Sequence, residues 1–248
     1  MENEKRDKKP NKEEHMEIQL QNTNDDDLTN HRRITIDDAT YNTGFDRGVD
    51  FSEIKAKLIT AYTDTIKLLN LLTDVDYNGA ERKLVNRLIY ILIAMIQLMN
   101  GSRISEACNA FYSFIENGDL DKKIVVKLAK SETTKYKENG EQFKTKIRYR
   151  KIMFPKKWID TPLKKLDRMQ YYIDKIHPES LKKRVLDYLL KYHNCNTHSL
   201  RYAYINYMIY DQKNEPSLIA KHVGHSNLNQ LIRYTQNKQA DKLFDIDI

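Results

Sequence analysis

Hydrophobic positions follow a helical period along much of the chain after residue 50. From Ile54 to Leu72 they recur at three- and four-residue steps, which places them on one face of a helix. A second, strongly apolar helix is predicted from about Ala80 to Asn100, with Gly101 as its left-handed stop. Its longest apolar run falls short of the roughly 18 to 20 residues that a membrane span needs, so we expect a buried helix.

The pattern becomes β-like between residues 110 and 155. Three strands are predicted there, at residues 111–115, 124–128 and 146–154, with Asn117-Gly118 as a tight turn and a polar, lysine-rich hairpin loop at 130–140. From Thr161 onward the chain again predicts helices, with breaks near Pro178, Asn194, Pro216 and Gly224. The expected fold class is therefore α+β, mainly α: a helical domain with a small three-stranded antiparallel sheet.

Residues 1–46 differ from the rest of the chain in composition. They are rich in Asn, Asp, Glu and Lys and show no sustained apolar period, which predicts a disordered acidic tail ahead of one domain at 47–248. The first residues contain no apolar segment of the kind found in secretory signals, and Cys108 and Cys195 are too far apart for a C-x-x-C motif. We expect an intracellular protein with reduced cysteines.

Charge is distributed unevenly along the sequence. Residues 1–50 carry a net charge of −5, whereas residues 51–248 carry +12. Residues 121–168 alone hold 16 basic and 6 acidic side chains. Such a body attracts polyanions, of which nucleic acid is the commonest inside a cell. Charge alone is equally compatible with a surface that only confers solubility.

Four short elements in the second half of the chain stand in a distinctive order. They are Gly101-Ser-Arg103-Ile-Ser-Glu106, His198-Ser-Leu-Arg201, Val223-Gly224-His225 and Tyr234. His225 follows Arg201 by 24 residues, and Tyr234 follows His225 by nine. In these motifs, G-x-R-x-x-E and H-x-L-R among them, the chain resembles the tyrosine recombinases of the phage-integrase superfamily from Gly101 to about Gln236.

The resemblance implies a DNA cleavage chemistry for these side chains. Arg103 and Arg201 would clamp the phosphate, because guanidinium forks match the geometry of its charged oxygens. Tyr234 would be the nucleophile and form a covalent link to the 3′-phosphate, without a metal or a nucleotide cofactor. His198 would accept or relay the tyrosine proton, and His225 would donate a hydrogen bond to the phosphate. The protonation state of both histidines stays open.

The family also uses a lysine on the hairpin, which protonates the departing 5′-oxygen. Lys127, Lys130 and Lys135 are candidates here, and Lys130 is favoured because it immediately follows the predicted strand. A solvated loop lysine is an alternative interpretation of each of them.

The resemblance implies double-stranded DNA as the partner and a homotetramer on that DNA, whereas the short apolar run predicts no association with a membrane. Typical members carry a separate helical DNA-binding domain ahead of the catalytic one, but only two helices are predicted here before Arg103. An accessory DNA-binding partner is therefore a further expectation.

Three alternatives remain open at this point. A type IB topoisomerase shares the tyrosine, arginine and lysine chemistry, although the topoisomerases this chain resembles carry lysine at the position of His198. A non-catalytic DNA-binding relative would keep the fold alone. A zinc site at His193, Cys195 and His198 is disfavoured, because the spacing is unusual and a fourth ligand is missing from the sequence pattern.

Overall fold

A computed structural model describes residues 49–72, 79–129, 134–137, 140–144, 147–159 and 166–225 of the chain. The side chains of residues 134–136, 143–144 and 166–168 are not described. The predicted tail at 1–46, Lys130 and Tyr234 lie outside the described residues, so the expectations for them stay predictions.

Seven α-helices make up most of the described chain, which confirms the α+β, mainly α class. They are α1 (Phe51–Leu71), α2 (Ala80–Asn100), α3 (Ile104–Asn117), α4 (Leu166–Ile173), α5 (Pro178–His193), α6 (Thr197–Asn206) and α7 (Pro216–Val223). A 3₁₀ turn at Lys156–Trp158 and a π-helical turn at Tyr207–Asp211 accompany them. The predicted breaks near Pro178, Asn194, Pro216 and Gly224 are confirmed.

Helix α2 is the centre of the core. It packs against α1, α3, α4, α5 and α6, and its residues from Leu88 to Leu98 are buried, apart from Tyr90, which is partly buried. By length and composition α2 is the one helix in the described ranges that would suffice to cross a membrane, but 67% of its most apolar window is buried inside the protein. A helix that is apolar on all sides is expected at the centre of a core, so the prediction of a buried helix is confirmed.

Four short strands form two separate antiparallel pairs. They are β1 (Ile124–Lys127), β2 (Thr134–Tyr136), β3 (Gln142–Lys144) and β4 (Tyr149–Ile152). β1 pairs with β4, from Ile124 opposite Ile152 to Lys127 opposite Tyr149. β2, inside the predicted loop at 130–140, pairs with β3, which lies just after that loop. The described residues thus contain no three-stranded sheet.

The strand predicted at residues 111–115 is wrong, because these residues belong to helix α3. Ala107, Phe111 and Phe114 recur at helical spacing and are all fully buried. Gly118, which the sequence suggested as part of a hairpin turn, ends this helix in the left-handed region at φ +65°. A short aromatic run suits a strand or a buried helix equally, and here the packing of α3 on α2 decides the outcome.

Candidate active site

Arg103 lies at the junction between α2 and α3, where it is the N-cap residue of α3. Its backbone N–H donates to Glu106 Oε2 at 3.2 Å, and its Nη1 donates to Glu106 Oε1 at 3.2 Å. The Glu106 side chain is 1% exposed, whereas 22% of the Arg103 side chain remains exposed. A buried carboxylate therefore orients a guanidinium that a ligand can still reach.

Arg201 joins the first motif to the third. Its side chain on α6 is 1% exposed, and it donates from Nη1 to the Gly101 carbonyl at 2.6 Å and from Nη2 to the Val223 carbonyl at 2.9 Å. Gly101 caps the C-terminus of α2, and Val223 is the last residue of α7. Carbonyls at helix C-termini carry partial negative charge, so one cation stabilises both helix ends.

The end of β1 also lies against these elements. The Ala129 N–H donates to Glu106 Oε1 at 3.0 Å. Leu128 packs so closely on Gly224 that a Cβ at Gly224 would come within 2.6 Å of it. Residues from four separate parts of the sequence, at 101–106, 128–129, 201 and 223–225, therefore meet at one place.

The hairpin lysines occupy different positions relative to this cluster. Lys130 directly follows Ala129, but its own position is outside the described residues. Lys127 is described and exposed, and it alternates along the strand with the buried Val126 and Leu128. Its side chain therefore lies on the face of β1 opposite Leu128. For Lys135 only the backbone is described, paired with Phe143.

Arg150 is a cation of this site that the sequence reasoning missed. It is 8% exposed on β4, donates to the Asn100 carbonyl, and places its Nη1 3.6 Å from Glu106 Oε2. Burial and the nearby Arg103 lower its pKa, while Glu106 acts in the opposite direction. The alternation along the strand could have identified Arg150 as an inward-facing residue, since Arg150 and Ile152 alternate with exposed residues.

His225 is buried beside the arginines. It follows the C-cap Gly224 of α7, its backbone N–H donates to the Ala220 carbonyl at 2.8 Å, and it is 8% exposed. Burial, with the positive charges of Arg201 and Arg103, lowers the pKa of His225 to about 4. The imidazole of His225 is therefore neutral at pH 7, which answers for this residue the question that the sequence left open.

His198 lies in the first turn of α6, three residues before Arg201, and is exposed. Two contacts fix this end of the helix: Asn196 Oδ1 accepts from the Ser199 N–H at 2.9 Å, and Gln97 Nε2 donates to the Thr197 carbonyl at 2.7 Å. Helix α6 is thus anchored to the core helix at the turn that carries His198. The structure brings together Arg103, Arg201 and His225 of the predicted set.

The charges of this cluster do not balance. Arg103 and Arg150 both contact one carboxylate, Glu106, while the positive charges of Arg201 and Arg103 act on His225. Three guanidinium groups against one carboxylate leave an excess of positive charge in a largely desolvated place. Such a site favours a bound anion, and phosphate matches the guanidinium forks in shape and charge.

Gly101→Ala should destabilise the protein more than the same change at Gly118. Both glycines end helices in the left-handed region, at φ +56° and +65°, so both variants carry the backbone cost of about 1 kcal/mol. Only at Gly101 would the new Cβ meet the Tyr204 ring, at 2.2 Å, whereas nothing lies within 4 Å at Gly118. Urea unfolding should show a further loss of about 1–3 kcal/mol for Gly101→Ala. Equal losses would show that the Tyr204 contact is unimportant.

Acid should destabilise the folded chain through His225. An unfolded histidine has a pKa near 6.5, so between that value and about 4 the unfolded chain binds more protons than the folded one. The free energy of unfolding therefore falls as the pH falls through this window, by about 2 kcal/mol from pH 7 to pH 5 for this residue. Urea unfolding at pH 7 and at pH 5 measures this fall in the free energy of unfolding. In His225→Gln the fall should be about 2 kcal/mol smaller than in wild type. An unchanged pH dependence in the variant would contradict the assignment.

Within the described ranges, no group of three His, Cys, Asp or Glu side chains is arranged to hold a metal ion. The alternative zinc site named His193, Cys195 and His198. Of these residues, Cys195 is fully buried, and the Nε2 atom of His193 lies 3.1 Å from the Tyr188 hydroxyl.

Comparisons with known proteins identify viral relatives, although no family model matches the sequence. The chain is 44% identical over 205 residues to "Putative integrase V10" of the Sputnik virophage, which covers 82% of this chain and 89% of the relative. It is 32% identical to "Putative integrase ORF241" of Acidianus two-tailed virus, over 79% of this chain and 66% of the relative. "Uncharacterized protein MJ0770" of Methanocaldococcus jannaschii is 27% identical, over 80% of this chain and 86% of the relative. The first of these matches shows that the chain belongs to the family of these viral integrases.

Proposed function

We propose that the chain is a site-specific DNA recombinase of the tyrosine type, which integrates DNA by cleaving and rejoining strands. The observation that carries this proposal is the bridge from Arg201 to Gly101 and Val223. Through it, motifs about a hundred residues apart in sequence meet at one cationic cluster, with Arg103 still partly exposed. The integrase names of the viral relatives support a role in DNA integration.

In the proposed reaction Tyr234 attacks a backbone phosphate. A bond forms between the tyrosine oxygen and phosphorus, and the bond from phosphorus to the 5′-oxygen breaks. His198 accepts the phenolic proton, and Lys130 gives a proton to the departing 5′-oxygen. Attack by a 5′-hydroxyl of another strand reverses the steps and releases the tyrosine.

The arginine cluster stabilises the charge that develops on the phosphate. Arg103 donates from a side chain that reaches solvent, whereas the charge of Arg201 acts from a guanidinium whose plane is fixed by two carbonyls. His225 is neutral before the DNA binds and can donate one hydrogen bond to a phosphate oxygen. A phosphate held there would favour its protonation, because the anion offsets the repulsion from the arginines.

Double-stranded DNA is the proposed partner, bound by a homotetramer inside the cell. The excess of basic residues at 121–168 supports a backbone contact. Lys127, Lys151 and Tyr149 share the exposed face of the β1–β4 pair, and two exposed lysines on one face support a contact with a phosphate backbone. An accessory DNA-binding partner would supply the separate domain that typical recombinases carry.

A covalent adduct tests the proposal. Nicked duplexes and supercoiled plasmids with candidate attachment sequences, from the DNA that carries the gene, are incubated in EDTA with wild type, Tyr234→Phe and Tyr192→Phe. We expect a protein–DNA band under denaturing conditions for wild type and for the exposed-tyrosine control, but none for Tyr234→Phe. Joined products would indicate recombination, whereas relaxed plasmid alone would indicate topoisomerase activity. DNA binding without any adduct would contradict the proposed enzyme.

A further inference from the structure

A second basic site lies far from the arginine cluster. It is a cavity of about 220 Å³ between the N-terminal half of α2 and helices α4 and α5. Asn86, on its wall, is fourteen residues before Asn100 on the same helix, which separates the two sites by about 21 Å along α2. One phosphate therefore cannot contact both sites.

Positive side chains dominate the lining of this cavity. Arg82, Lys175 and Arg184 contribute to its wall, and its described lining contains no carboxylate. Two acids lie near it: Glu81 Oε2 accepts from the hydroxyl of Tyr172, itself a lining residue, at 3.4 Å, and Asp174 Oδ1 accepts from Gln170 Nε2 at 2.6 Å. Three cations around one cavity, from helices α2 and α5 and from the turn after α4, favour an anionic ligand.

The other lining groups suit a planar heterocycle. Tyr171 and Tyr172 form part of the wall, with ring centroids 5.1 Å apart and planes at 76°, and Tyr171 is 51% exposed. Lys175 Nζ lies 3.7 Å from the Tyr171 ring centroid, which holds this cation at the rim. Asn86 Oδ1 is buried and lacks a hydrogen-bond partner among the described residues. A buried acceptor of this kind is satisfied when a ligand donates to it.

We propose that this cavity binds one phosphorylated nucleotide unit, with its phosphate at Arg82, Lys175 and Arg184 and its base against the two tyrosines. The cavity is smaller than most sites for drug-sized ligands, so it suits a single unit rather than a duplex. Aromatic walls beside cations are the combination that holds unpaired nucleotides in single strands. The unit can come from a free nucleotide or from a single strand of DNA. This site is independent of the cleavage chemistry proposed for Tyr234.

Binding to the full chain tests the inference by calorimetry with four probes. They are deoxyadenosine monophosphate, deoxyadenosine, inorganic phosphate and a single-stranded oligonucleotide. We expect the monophosphate or the oligonucleotide to bind more tightly than deoxyadenosine and phosphate. Binding of the monophosphate would identify a free-nucleotide site, and binding of the oligonucleotide alone would identify a DNA strand. Inorganic phosphate binding as tightly as either, or no binding by either, would overturn the proposal.

A matched pair of double variants locates the binding. Arg82→Ala with Arg184→Ala removes two cations of the cavity, whereas Lys83→Ala with Lys183→Ala removes two exposed neighbours on the same helices. Each double variant loses two positive charges, so the non-specific attraction between the protein and an anionic probe falls equally in both. We expect the first pair to weaken binding about tenfold or more and the second about twofold or less. Equal losses in the two pairs would overturn the assignment, and circular dichroism checks that both variants fold.

Discussion

Arg201→Leu should lower the free energy of unfolding by about 2–4 kcal/mol, because it leaves the carbonyls of Gly101 and Val223 without their donor. Both carbonyls end helices, so the loss also removes the cation that offsets two helix dipoles. Urea unfolding followed by circular dichroism measures the effect. Loss of DNA cleavage in this variant would then reflect folding as well as chemistry.

Two further variants make the Arg201 prediction specific. Arg201→Lys keeps the charge but replaces a planar fork by a single ammonium, so we expect it to recover only part of the stability. Arg148→Leu removes an exposed arginine and should change the free energy of unfolding by less than about 0.5 kcal/mol. If Arg201→Leu were as stable as Arg148→Leu, the bridge between the motifs would not hold the fold together.

Arg103→Ala should have the opposite profile, with a large loss of cleavage and a small loss of stability. Its side chain is partly exposed, and Glu106 keeps its contacts with Ala129 and Arg150 when Arg103 is removed. We therefore expect the free energy of unfolding to fall by about 1 kcal/mol or less. Removal of one preorganised donor to a transition state slows the reaction about 10²- to 10³-fold. The rate of adduct formation on a nicked duplex measures this effect.

Exposed lysines provide the control for Arg103. Lys183→Ala removes one positive charge from an exposed position on α5, outside the arginine cluster, and it should slow cleavage much less than Arg103→Ala. Equal rates for Arg103→Ala and wild type, at saturating DNA, would contradict a role for Arg103 at the phosphate.

Long and strongly periodic segments could be predicted from the sequence. Helices α1 and α2 and the stop at Gly101 follow from hydrophobic spacing and from a glycine in the left-handed region. Helix α3 could not be distinguished from a strand, because residues 111–115 form a short apolar run and their burial against α2 is a long-range contact. Local sequence also gave no indication that residues 134–136 and 142–144 form a pair of their own.

The candidate active site could likewise be predicted from the sequence only in part. The order of the motifs predicted that Arg103, Arg201 and His225 act together, and these residues do lie in one cluster. The sequence did not predict that Arg201 would donate to two backbone carbonyls, since these contacts form only in the folded chain. Arg150 was hidden in a lysine-rich segment, where only the alternation of β4 distinguishes the inward cation from solvated ones.

The measurement that tests the central claim most directly is the identification of the residue that carries DNA. Wild-type adduct on a nicked duplex would be digested with protease and nuclease, and the peptide bearing the nucleotide would be sequenced by mass spectrometry. The account predicts a phosphodiester on the Tyr234 oxygen, joined to the 3′-phosphate of the cleaved strand. A nucleotide on any other residue, or an adduct that persists in Tyr234→Phe, would contradict it.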